Sequence, residues 1–240
     1  MFRGRNKADL TRPFLWASRH SLSLPLSARG EGGRGVRFKR EVLEIIAGRN
    51  RMGARRGERY VGPYEVVMSH PVYENAWLKL REDRVKRRDG RESTFGIVTV
   101  KPGVTVLPMD QDGTVTLVRE FKYALGESTL EAVSGAIESG ETPEQAGLRE
   151  IGEEAALVAA EWVDMGVLSP FTTLIHSPNH MFLARKLSRL NRTKQAGEDI
   201  EVVTMPFEEA LRGVLRGEIT HGASVAVILK TEIFVRRMRK

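Results

Sequence analysis

Four residues near the middle of the chain, Arg149, Glu150, Glu153 and Glu154, have the types and spacing to do chemistry together. On a helix, Glu150 and Glu154 fall one turn apart on the same face, with Glu153 and Arg149 beside them. Three carboxylates this close repel one another, by roughly a few tenths of a kcal/mol per exposed like-charge pair. A positive charge should offset that repulsion. A hard divalent cation, Mg²⁺ or Mn²⁺, suits the task, because it takes oxygen ligands and is shared between protein carboxylates and substrate phosphates. Taken alone, the same run reads as an ordinary solvated face of an acidic helix.

The elements that must position these groups are legible around them. Thr142-Pro143-Glu144-Gln145 reads as a capping box with proline at the first helical position, so the helix is predicted to start at Thr142. Ala146, Leu148, Ile151 and Ala155 supply an apolar stripe at helical spacing. Gly135 and Gly140, ahead of the cap, predict a loop that turns tightly or approaches something closely. Phosphates could meet a cation there, near a helix start whose free N–H groups favour anions.

The stretch from Gly135 to Leu157 resembles the Nudix signature, G-x5-E-x7-R-E-U-x-E-E-x-G-U with U aliphatic. Gly135, Glu141, Arg149, Glu150, Ile151, Glu153, Glu154 and Leu157 occupy its fixed positions. Ala156 stands where the family has the glycine that ends the helix in a left-handed conformation, a replacement expected to cost about 1 kcal/mol or to shift the cap. A pattern fixed at both ends over this length is far more specific than paired glutamates, so the resemblance outweighs the solvated-face reading.

The resemblance implies an α/β fold, a Nudix-type α/β/α sandwich with a mixed sheet. It also implies Glu150 and Glu154 as direct Mg²⁺ ligands, with Mn²⁺ an alternative, and Glu153 as a ligand or as the general base. On this view the three glutamates converge on the cation. Arg149 is expected to hold Glu141 or a metal-binding carboxylate in place. Ser134, just before Gly135, would offer a backbone carbonyl ligand. Glu131 matches the glutamate of the family's Leu-Glu-x-Pro-Ala-Gly run and implies a further metal or substrate contact. Arg119 and Lys122 resemble the basic residues of an Arg-Gln-Tyr/Phe-Arg run that touches substrate, although Lys122 offers a point charge in place of a planar fork. An edge strand of alternating charge explains Arg119 to Tyr123 equally well.

The chain before the signature is read as strands. Extended segments are predicted near 64–69, 74–86 and 93–100, with a hairpin turn at Arg88-Asp89-Gly90-Arg91 and a second about Asp110 to Gly113. This β-rich segment, over about 60–100, resembles the amino-terminal part of ADP-ribose and nucleotide-sugar pyrophosphatases. In that group it contributes to a homodimer and to the nucleoside pocket.

After the signature, residues 161–168 and 179–187 read as strands joined by a loop. In many ADP-ribose pyrophosphatases this loop carries a glutamate that activates water, but no acidic residue lies between Asp164 and Glu198. His176 and His180 are the titratable groups of the loop. His176 is thus a candidate substrate contact or catalyst, set against the commoner structural histidine, and Glu153 is the expected base by elimination. A polar loop at 193–198 could cover the site. A strand, a helix beginning near Pro206 and ending about Arg216, and a terminal helix over 221–239 complete the prediction.

Length and charge bound the rest. The 240 residues suit one domain plus appendages. The net charge of +7 arises in residues 1–59, where fifteen Lys/Arg and five Asp/Glu leave +10, while residues 60–240 carry −3. A nucleic-acid partner is therefore not expected of the folded body. Residues 1–55, basic and rich in Gly and Ser with a helical turn or two near 40–48, are open to three readings. They are a disordered tail, an organelle transit peptide, or an extension upstream of a true start at Met52. The Nudix domain is expected over 56–240. The absence of cysteine suits a reducing cytoplasm, and no apolar run approaches the ~20 residues of a membrane span.

The expected function is Mg²⁺-dependent hydrolysis of ADP-ribose or a related nucleoside diphosphate sugar, giving a nucleoside monophosphate and a sugar phosphate. Two alternatives are compatible with the same residues: a non-catalytic nucleotide-sensing Nudix domain and a nucleoside triphosphate pyrophosphatase.

Overall fold

Period-two alternation of apolar residues sets the architecture. A computed structural model describes residues 59–191 and 200–238, all within one compact unit spanning Ala54–Lys240. The expectations for residues 1–55 and for the polar loop at 193–198 lie outside the described residues.

The described residues open with four strands, β1 (Tyr60–Val61), β2 (Tyr64–Glu74), β3 (Leu78–Lys86) and β4 (Glu92–Val100). They pair antiparallel in chain order, and β10 (Ile175–His176) adds to β4 in parallel, making a five-stranded sheet. The extended segment predicted from residue 74 in fact begins at Leu78. Asn75 explains the difference: its Oδ1 accepts the N–H groups of Trp77 and Leu78, both at 2.8 Å, and closes a turn. The Asp-Gly hairpin forms as predicted, with Gly90 at φ 84° and Asp89 Oδ1 accepting the Arg91 N–H at 3.1 Å.

A four-stranded mixed sheet follows, in the order β8 (Val133–Ala136), β5 (Gly103–Pro108), β11 (Asn179–Arg189), β9 (Leu157–Leu168). β5 and β11 run parallel, and the other pairings are antiparallel. Along β5, Val104 and Val106 point to one face and Leu107 to the other; along β11, Phe182 and Ala184 oppose Met181 and Leu183. Helix α1 (Pro143–Ala155) covers the first face through Ala146 and Ile151. Helices α2 (Phe207–Arg216) and α3 (Gly222–Met238) cover the second through Phe207, Ala210, Val227 and Ile228. Both sheet faces are thus buried under helices, the layering expected. A three-stranded sheet, β12 (Glu201–Pro206), β6 (Thr114–Lys122), β7 (Glu127–Glu131), stands beside it.

Three expectations need correction. The loop between β9 and β11 contains the short strand β10, and β9 starts at Leu157, directly after α1. Leu148, read as part of the buried stripe of α1, is exposed. The neighbouring Gly147 is the buried residue: a Cβ there would lie 3.1 Å from both Trp162 and Val106, so the helix seats on the sheet at its glycine.

Candidate active site

Helix α1 begins where its chemistry says it should. Thr142 is the N-cap: its side chain accepts the Gln145 N–H at 3.2 Å, while the Gln145 side chain accepts the Thr142 N–H at 2.8 Å. The helix ends at Ala156, which is left-handed at φ 53° with its N–H bonded to the Ile151 carbonyl. Between these caps the helix carries Arg149, Glu150, Glu153 and Glu154 toward β8.

Arg149 is the hub. Its Nε donates to Glu141 Oε1 at 2.8 Å and its Nη2 to Glu141 Oε2 at 3.1 Å, a bidentate pair. Nη2 also reaches the Ala136 carbonyl at 2.9 Å. Nη1 donates to Glu150 Oε1 at 2.7 Å and to Glu153 Oε2 at 3.2 Å. These hydrogen bonds, Glu141 first, raise the guanidinium pKa above its ordinary value, and the Glu141 carboxyl is lowered by the same contact. Glu141 Oε2 also accepts the Glu138 N–H at 2.9 Å, tying the loop before α1 to the helix.

Gly135 makes room for Glu150. A Cβ on Gly135 would sit 1.9 Å from Glu150 Oε1, inside any permissible contact. The glycine at the head of the signature is thus a steric requirement of the glutamate fifteen residues later. Glu150 itself is buried, and burial raises its pKa against the pull of Arg149.

Glu154 is more strained. Burial foremost, then the neighbouring charges of Glu150 and Glu120, push its carboxyl up to about 8; Lys122 and the backbone N–H of Ser134 pull the other way. Its Oε2 is buried without a hydrogen-bond partner. Such an atom is costly unless something positive meets it.

Strand β6 supplies the facing charges. Alternation puts Val118, Glu120 and Lys122 on one side of the strand and Arg119 on the other. The Lys122 ammonium pairs with Glu120 and lies 3.8 Å from Glu131 Oε2. Burial works to lower the Lys122 pKa, but Glu120, Glu131 and Glu154 outweigh it and hold it above its ordinary value. Glu131 is buried, with Oε1 accepting from Thr129 Oγ1 at 2.6 Å and Oε2 lying 3.3 Å from His221 Nδ1. Burial holds the His221 imidazole below its ordinary value against the pull of Glu131.

The structure therefore brings Glu141, Arg149, Glu150, Glu153, Gly135 and Ser134 into one cluster, with Glu154, Lys122 and Glu131 at its second edge. The three signature glutamates do not converge on a single point. Arg149 draws Glu150 and Glu153 toward itself, supplying the positive charge that offsets their repulsion. Among the described residues, no three carboxylate or imidazole groups are gathered in ligating position as they stand. What does fit a cation is the Glu150–Glu154 pair with the unpartnered Glu154 oxygen, an all-oxygen donor set beside the Gly135 cradle.

Two candidates lie apart from the cluster. Arg119 pairs with Glu201 of β12 at 3.3 Å, on the face of β6 away from Lys122. His176 is exposed in β10, where it pairs with Thr99 of β4 in the five-stranded sheet. Glu120 and His221, in turn, join the site without having been singled out. Strand alternation could have found Glu120, two residues from Lys122. No spacing rule links His221 to Glu131, ninety residues earlier.

The chain is similar to known proteins over most of the described residues. The NUDIX domain family model matches residues 99–224, and that of the nucleoside diphosphate sugar hydrolase N-terminal domain matches residues 64–98. An ADP-ribose pyrophosphatase of Mycobacterium tuberculosis (strain ATCC 25618 / H37Rv) is 27% identical over 169 residues, 69% of this chain and 82% of the relative. An ADP-ribose pyrophosphatase of Bacillus subtilis (strain 168) is 28% identical over 163 residues, 65% of this chain and 85% of the relative. The crystal structure of an ADP compounds hydrolase shares the fold at a TM-score of 0.65 and 16% identity, over 75% of this chain and 98% of its own. No helix among the described residues is long and apolar enough to cross a membrane. With its signature residues drawn together around Arg149 and the NUDIX match covering more than half of the 240 residues, the chain belongs to the Nudix hydrolase family.

Proposed function

We propose that the protein hydrolyses the pyrophosphate bond of ADP-ribose or a related nucleoside diphosphate sugar, with Mg²⁺, releasing a nucleoside monophosphate and a sugar phosphate. The observation that carries this reading is the pair of Glu150, buried under Gly135, and half-buried Glu154, one oxygen of which is buried without a partner and which Lys122 faces. The match of residues 64–98 to an N-terminal domain of nucleoside diphosphate sugar hydrolases supports the substrate class. So do the names of the two bacterial relatives.

Glu150 and Glu154 would hold the divalent cation, with the Ser134 carbonyl as a further oxygen ligand. When bound, such a cation neutralises pyrophosphate charge and acidifies water for attack on phosphorus. The chain's own residues supply the rest. Glu153, the most exposed of the three glutamates, accepts the proton that water loses as its oxygen bonds to phosphorus and the bridging P–O bond breaks. Arg149 fixes the orientation of Glu153 and Glu150 and holds Glu141 against the loop. Lys122 offers its positive charge to the phosphates. The protein acts as a homodimer, joined through the five-stranded sheet.

The test is a Mg²⁺-supported screen of ADP-ribose, ADP-glucose, GDP-mannose, UDP-glucose, dinucleotides and triphosphates with products identified. The expected result is preferential cleavage of a diphosphate sugar to a nucleoside monophosphate. Preferential cleavage of triphosphates would replace the substrate class. Tight binding without turnover would favour a sensing domain.

A further inference from the structure

A chain of buried and half-buried polar contacts leaves the acidic cluster and ends at the start of α3. Glu131 Oε1 is occupied by Thr129, and its Oε2 lies between Lys122 Nζ at 3.8 Å and His221 Nδ1 at 3.3 Å. His221 Nδ1 is also 2.8 Å from Ser224 Oγ, and that hydroxyl accepts the Ala132 N–H at 2.9 Å. A carboxylate can only accept, so a proton on Nδ1, the nitrogen hydrogen-bonded with Ser224 Oγ, is the tautomer that also faces Glu131 favourably. His221 is held in turn by the helix, its carbonyl accepting the N–H of Val225 at 2.9 Å, and Ser224 is fully buried.

The position of this contact in the chain gives it consequence. Ala132 is the single residue between β7 and β8, and it lies outside both ladders. The segment that follows contains groups that meet the acidic end of α1. Glu131 holds Lys122, the Ser134 N–H bonds Glu154, and Gly135 clears Glu150. Ser134 is secured by its own hydroxyl bond to the Ala132 carbonyl at 2.8 Å, so its placement follows that of Ala132.

We propose that His221 and Ser224 are positioning residues for hydrolysis, clamping Glu131 and the Ala132 peptide so that residues 131–135 meet Glu150 and Glu154. Neither touches the signature glutamates; both act through Glu131 and Ala132. The inference rests on the hydrolytic reading of the cluster.

The test compares wild type, His221→Leu, His221→Asn and Ser224→Ala in full-length protein. It reads kcat and KM separately, together with hydrogen exchange at the Ala132 and Ser134 amides. Asparagine can place a donor near the position of Nδ1. The expectation is a kcat loss of about 10- to 100-fold in His221→Leu and Ser224→Ala with KM within about threefold, the range typical of groups that support a site from behind. His221→Asn should recover most of that loss, and exchange at Ala132 should quicken in Ser224→Ala. A kcat within about twofold of wild type in both His221→Leu and Ser224→Ala overturns the inference, since that lies far below the effect of a supporting group. If His221→Leu does not fold, Ser224→Ala, which removes one atom, decides. If wild type cleaves no nucleoside diphosphate compound, the hydrolytic reading fails. Exchange then judges the clamp alone: faster exchange at Ala132 in Ser224→Ala supports it, and unchanged exchange overturns it.

Discussion

Glu154 shows how one carboxyl can couple folding to a ligand. Its pKa of about 8 in the folded chain stands against an ordinary 4.5, with burial as the main cause. A folded state that holds the proton more tightly is stabilised by it. That contribution is complete below pH 4.5 and is lost as pH rises through 8. Cation-free protein in chelator should therefore melt at a lower temperature at about pH 9 than at about pH 6, with a stability difference on the order of a few kcal/mol. Glu154→Gln, which resembles the protonated form, should flatten that dependence, and Mg²⁺ should restore the melting temperature at the higher pH. A wild-type pH dependence equal to that of Glu154→Gln would remove Glu154 as its source. The ion pairs around Arg149 offset the repulsion among three of the carboxylates. Arg149 satisfies Glu141, Glu150 and Glu153, and the unpaired oxygen is left to Glu154.

At the scale of elements, α1 is specified by its two ends. The capping box at Thr142 was legible because its chemistry is local: a hydroxyl, a proline and a glutamine at fixed spacing. The end at Ala156 was legible from the mismatch, since alanine occupies a left-handed position that glycine adopts without strain. Ala156→Gly should then raise stability by about 1 kcal/mol in denaturant melts, the reverse of the usual cost of glycine. A loss of stability would mean that the left-handed cap is not under strain. Hairpins with Asp-Gly turns and strands of alternating pattern were equally readable. Other features depended on contacts between distant segments. Leu148 lies outside the buried face because Gly147 lets Trp162 and Val106 approach. β10 exists only because the loop after β9 passes along the edge of β4. The Glu131–His221–Ser224 contacts join strand to helix across some ninety residues, and no local pattern encodes them.

At the scale of the whole molecule, the five-stranded sheet is the unfinished part. Val67, Met68, Val72, Tyr73 and Trp77 are exposed on or beside it, whereas the mixed sheet is covered on both faces. Exposed apolar side chains gathered on one sheet suit an interaction site. With a second copy as the occupant, light scattering should give twice the 26.9 kDa chain mass, and Val72→Lys should shift the protein toward monomer. A wild-type monomer at working concentration would contradict the dimer. The substrate and the partner can change without touching the central claim, which is that the signature carboxylates split a pyrophosphate with a divalent cation. Turnover of ADP-ribose by Glu153→Gln beside wild type, both with Mg²⁺ and with matched melting temperatures, tests it most directly. The account predicts a loss of about two orders of magnitude or more, the scale of a general base. Turnover near that of wild type in the folded variant would contradict it.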